Sequence, residues 1–168
     1  MENFLERLVR EIYEADDYIV LDNIQVPKLK GGFLEFDGVA IKGPEIIWLE
    51  SSSSASKVPE VEKVIEKKLE KKKALIEQLK KLLKKQDVKI KEIHYYFEGL
   101  SQKPREETRN LIERCKEKSP SVIILGMRDL LKKAEDILDK LPPDRTVPMK
   151  MGYLKLIQAC RKYYKTTR

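Results

Sequence analysis

The sequence predicts an α/β domain, a mixed β-sheet with helices on its faces, followed by a basic helical extension. Two patterns carry this. An amphipathic segment is succeeded by three β-branched, apolar stretches separated by short glycine-containing turns, and these give way to an alternation of strand-like and helix-like segments. At 168 residues the chain suits one compact domain whose core needs no staples.

Residues 3 to 15 carry Phe4, Leu5, Leu8, Val9 and Ile12 at the spacing of a helix with one apolar face. YIVLDNIQV, residues 18 to 26, reads as a strand; Pro27 ends it, and Gly31-Gly32 supply a hairpin turn. FLEFDGVAI then alternates apolar residues with Glu35 and Asp37, KGP turns the chain again, and EIIWLESS forms a third strand. Turns this short join antiparallel neighbours, so a meander is expected. Ser51 to Ser56 is a low-complexity break. Val58-Pro59-Glu60 then opens a helix expected to run unbroken to about Lys85, with a stripe of Val61, Ile65, Leu69, Ile76, Leu79 and Leu83. Lys72 and Lys73 interrupt that stripe, which favours docking on the same domain over a coiled coil.

A strand over 88–97, a helix over 104–118, the short buried strand SVIILG and a helix over 127–141 complete the alternation. Pro142-Pro143 begins a linker that reaches Pro148, and a last helix is expected over 149–164. The organisation read from this is an α/β domain over 1–141 and a basic linker and helix over 142–168, packed on it or extending from it.

With 41% hydrophobic and 38% charged residues, the chain is neither disordered nor membrane-embedded in composition. No apolar run approaches the roughly 20 residues that span a bilayer, and the amphipathic, acidic start is unlike a signal sequence. A cytoplasmic protein with no membrane partner is expected. Cys115, Cys160 and His94 are too few for a disulfide framework or a Cys/His zinc site, and His94 is expected to be a satisfied strand histidine. Enrichment in Lys and Glu with few Gln suits a thermophile.

Charge is segregated along the chain. Residues 1–56 hold 5 Lys/Arg against 11 Asp/Glu, residues 57–85 hold 11 against 5, and residues 142–168 hold 7 against Asp144 alone. Such a division fits carboxylates that gather a divalent cation and lysines that neutralise a polyanion. It also fits the solvated face of a Lys/Glu helix. Lys63 and Lys67 on that helix, with Arg161, Lys162 and Lys165 interleaved with Tyr163 and Tyr164 at the C-terminus, are the nucleic-acid-binding candidates. The same tyrosines could instead pack the terminal helix onto the domain.

Side chains alternate along a strand, so Glu35 and Asp37 share a face, as do Glu50 and Ser52 on the next strand. If the hairpin pairs in register these groups converge, and two carboxylates with a main-chain carbonyl could hold Mg²⁺. A water-exposed sheet edge would explain the same acidic residues.

The order of elements and FLEFDGVAIKGPEIIWLESSSS together resemble the PD-(D/E)XK nuclease superfamily, which includes restriction endonucleases and archaeal Holliday-junction resolvases. The resemblance covers residues 3 to 97 and reaches toward 126. It implies a restriction-endonuclease-like α-β-β-β-α-β core in which Asp37 and Glu50 hold Mg²⁺ or Mn²⁺. Glu11 of the first helix is the implied third ligand, with Glu6 its rival. The superfamily's lysine position is Ser52 here, which brings a hydroxyl and no charge. Lys57 is the nearest replacement, and Lys63 or Lys67 could reach back from the following helix. The expectation is a nuclease-like protein that hydrolyses DNA with magnesium. The other expectation is an inactive DNA-binding or protein-interaction module on the same fold, for which a homodimer is one form.

Overall fold

The computed structural model describes residues 4–28, 31–52, 58–97, 105–141, 147–148 and 150–166, with the backbone alone for 58–60, 105, 108 and 162–166. The elements in order are α1 (Phe4–Ala15), β1 (Ile19–Pro27), β2 (Phe33–Lys42), β3 (Glu45–Ser52), α2 (Val58–Leu69), α3 (Lys72–Leu83), β4 (Glu92–Phe97), α4 (Arg105–Lys118), β5 (Val122–Gly126), α5 (Met127–Lys140) and α6 (Gly152–Thr166).

The five strands lie in sequence order in one mixed sheet. The meander β1-β2-β3 is antiparallel, as its short turns require. β3, β4 and β5 are parallel neighbours, so their connections must cross a face of the sheet; α2 and α3 make the first crossing and α4 the second. These three helices cover one face, over a core that includes Phe36, Trp48, Ile65, Leu75, Leu79, Ile93 and Leu111. On the other face α1, α5 and α6 enclose Leu8, Ile12, Ala40, Leu130 and Leu154. Because helices cover both faces of β3, the run Ile46–Glu50 is buried at every position.

Three expectations are corrected. The helix expected as one rod to Lys85 is two, interrupted at Glu70–Lys71. Ile65 and Leu75 are both buried but ten residues apart, about 80° out of phase on a straight helix at 3.6 residues per turn, and the break returns Leu75 and Leu79 to the core. Across it, the Lys71 amide bonds back to the Lys68 carbonyl, a tighter turn than an α-helix makes. The fourth strand begins at Glu92 rather than Val88, since its ladder to β3 starts at Ile47↔Glu92; Val88 and Ile90 are buried without joining it. Finally, the last helix begins at Gly152, and Met151 and Leu154 bury it in the second core.

Candidate active site at the fork of two strands

β2 and β3 pair from Lys42↔Glu45 to Gly38↔Leu49 and then part. Beyond that point β2 pairs only with β1, as far as Phe33, and β3 only with β4, as far as Ser52. The next residue of each strand beyond the last pair is Asp37 on one arm and Glu50 on the other. That Asp37 and Glu50 stand opposite each other there follows from hairpin register, a local property.

Backbone geometry sharpens the bend. Leu34, Phe36, Val39 and Ile41 all belong to the first core, although strict alternation would send 36 and 39 to opposite faces; β1 shows the same change between Leu21 and Ile24. The paired strands thus switch faces together at Asp22–Asn23 and Asp37–Gly38, and Asn23 takes a left-handed φ of 49°. A Cβ at Gly38 would lie 3.2 Å from the Leu21 carbonyl oxygen, so glycine lets the two backbones approach there.

Asp37 Oδ2 accepts the Ser51 amide at 2.7 Å and the Ser51 hydroxyl at 3.2 Å, so a side chain takes an amide that a continued ladder would have used. Glu50 is 2% exposed. Its Oε1 accepts from Trp48 Nε1 at 2.8 Å, and its Oε2 forms an ion pair with Lys68 Nζ. Burial, reinforced by the neighbouring Asp37 charge, pushes the Glu50 carboxyl up to about 7, against the pull of Lys68 and Trp48. A cleft at the fork is lined by Glu6 and Arg10 of α1 and Asp22 and Asn23 of β1 as well as Asp37, Glu50 and Ser51. Arg10 bonds Asp22 across it at 2.6 Å.

The other candidates are distributed differently. Glu11 is buried, and its Oε2 accepts the amides of Tyr153 and Leu154 at 2.9 and 3.0 Å, so it caps α6, while Glu6 is the α1 carboxylate that lines the cleft. Ser52 is half-buried and pairs with Phe97 in the ladder to β4. Lys57 lies outside the described residues. Lys63 and Lys67 are exposed on the side of α2 away from buried Val61 and Ile65. Arg161 binds the Asp139 carboxylate and the Glu135 carbonyl of α5. Lys162 and Lys165 lie on the backbone of α6, with side chains outside the description.

Lys68 was not among the replacements that sequence reasoning named. Its signal was present: 61, 65 and 68 are i, i+4 and i+7, so Lys68 continues the inward stripe from which Lys67 is turned away. His94 stands apart from the cleft, buried and bonded to Tyr13 and to Glu92. Among the described residues no three His, Cys, Asp or Glu side chains are grouped to hold a metal ion, so the fork offers two carboxylates and no protein triad.

No protein-family model matches the chain, and no curated protein sequence matches it.

Proposed function

We propose that the chain is a nuclease-like, nucleic-acid-binding protein that hydrolyses phosphodiester bonds of DNA with Mg²⁺ or Mn²⁺. The observation that carries this reading is the fork itself, where Asp37 and Glu50 share a cleft and Lys68 supplies beside Glu50 the positive charge that Ser52 lacks. An α1-β1-β2-β3 start followed by a parallel β4 also agrees with the PD-(D/E)XK resemblance.

Hard carboxylate oxygens are the donors that Mg²⁺ prefers, and two of them suit an ion that keeps most of its waters. Asp37 and Glu50 would hold it. When bound, such an ion polarises the phosphoryl oxygen and lowers the pKa of a coordinated water. The protein's own part follows from the geometry. Ser51 fixes the Asp37 carboxylate by two hydrogen bonds, and Trp48 fixes one oxygen of Glu50. Lys68, on a helix rather than on the strand, offsets negative charge that develops on the phosphate. Exposed Lys63 and Lys67 offer charge to the backbone of the nucleic acid.

The decisive assay is cleavage of branched, single-stranded and duplex DNA with and without Mg²⁺ or Mn²⁺. Metal-dependent cleavage that falls on the order of 10²-fold or more in Asp37→Ala and Glu50→Ala supports the reading. Undiminished cleavage by either variant, or none by wild type, sinks it. One observation favours a second reading, an inactive DNA-binding module: Asp37 Oδ2 and both Glu50 oxygens already have partners within the protein. That reading expects salt-sensitive DNA binding with no cleavage in the same assay.

A further inference from the structure

Tyr95 is the in-register neighbour of Glu50 across the parallel β3–β4 ladder. Trp48, Ile93, Tyr95 and Phe97 all belong to the core under α2, α3 and α4, and the Trp48 bond to Glu50 places the carboxylate on that same face. The Tyr95 ring stacks on Phe97 with centroids 5.9 Å apart and is 1% exposed. Its hydroxyl is the buried side-chain polar atom that lacks a hydrogen-bond partner among the described residues. A phenylalanine would fill this space without stranding a donor, so the hydroxyl calls for a partner that arrives in another state of the site. Burial and the charges of Glu50 and Asp37 hold its ionisation well above the ordinary phenol range, which leaves it a neutral donor.

The carboxylate beside it has a partner that can be drawn away. Lys68, whose side chain is 22% exposed, pairs with Glu50, which is 2% exposed. A phosphate that reaches the exposed part of Lys68 competes for that ammonium, and Glu50 would then stand as a buried carboxylate next to Asp37 with one oxygen unpaired. Building on the hydrolase reading, we propose that Tyr95 is a positioning residue that takes over Glu50 when Lys68 turns to a substrate phosphate. The exchange moves no covalent bond. The Tyr95 O–H donates to the oxygen that Lys68 leaves, and Lys68 donates to phosphate.

Tyr95→Phe tests this, because it removes the hydroxyl and keeps the ring. The thermal midpoint should stay level or rise, since an unsatisfied donor is lost, and the free variant's Glu50 carboxyl ¹³C resonance should match that of wild type at the same pH. Inorganic phosphate, followed by the same resonances, should bind the variant about tenfold more weakly, the scale of one hydrogen bond to a charged group. Equal phosphate affinity in the two proteins overturns the proposal. So does a Glu50 carboxyl resonance already shifted in the free variant, which would mark a purely structural hydroxyl, and so does a wild type that binds no phosphate. A wild type that binds phosphate yet cleaves no DNA overturns the hydrolase reading while leaving the partner exchange readable.

Discussion

A buried carboxylate keeps its charge only where the surroundings support it, and at Glu50 that support is Lys68. Replacing Lys68 by Met removes the cation and keeps the aliphatic stem, leaving Glu50 to ionise against desolvation and against Asp37. Losing one partner of a fully buried pair costs about 3–5 kcal/mol, and partial exposure of Lys68 brings the expected loss to about 1–3 kcal/mol at pH 8. The loss should shrink at pH 6. Glu50's folded pKa is raised to about 7 from its ordinary 4.5, so the protonated form is favoured by folding, and that advantage fades as pH rises through 7. Urea unfolding of both proteins at pH 6 and pH 8 checks the sign, and an equal deficit at the two values would show that the pair contributes through packing alone.

At the scale of elements, Glu11 joins α1 to α6 by hydrogen bonds in addition to their apolar contact. Glu11, 142 positions before Tyr153, accepts two amides of the first turn of α6. A negative group also suits the positive end of a helix dipole. Glu11→Ala should cost about 2 kcal/mol and speed hydrogen exchange at the Tyr153 and Leu154 amides first. Glu11→Gln keeps an acceptor and should lose about half as much. The α2–α3 break is an element-scale feature of another kind. An apolar stripe is legible in the sequence, but whether 65 and 75 lie on one straight rod depends on what they pack against. Lys72 and Lys73 read in sequence as an interruption of a seam; in the fold the helix breaks just before them, at Glu70–Lys71.

Across the whole molecule, one polar network ties α1, β4 and α5 together. Glu92 accepts from His94 Nε2 at 2.7 Å, so that nitrogen carries the proton and Nδ1 accepts from the Tyr13 hydroxyl. Tyr13 in turn accepts from Lys133 Nζ at 3.0 Å and lies 3.1 Å from the Tyr96 hydroxyl. Burial holds the His94 pKa below its ordinary 6.5, with Lys133 adding to the depression and Glu92 opposing it. The unfolded chain therefore binds a proton that the folded one refuses, and stability from this site is present above pH 6.5 and lost as pH falls below it. Glu50 acts in the opposite sense over much of that window, so the comparison must be made by substitution. The thermal midpoint of wild type over His94→Gln should be greatest near pH 7.5 and narrow by pH 5.5; a gap that widens on acidification would contradict a neutral histidine.

What the sequence by itself determined are features written within a few residues. The strands follow from period-two alternation, and their hairpins from glycine turns. The nearness of Asp37 and Glu50 follows from the register that a short turn imposes. The α/β class follows from the order of these units, since parallel strands require helical crossovers. Tertiary structure decided everything that depends on which way a helix is rolled against the sheet. That roll sends Glu6 to the cleft and Glu11 to α6, and it chooses Lys68 over Lys63 and Lys67. It took the parallel pairing of β3 with β4, whose partners lie 45 residues apart in sequence, to set Tyr95 beside Glu50. Helical phase repeats every 3.6 residues, so neighbouring lysines differ by about 100°, and only packing between distant segments selects among them.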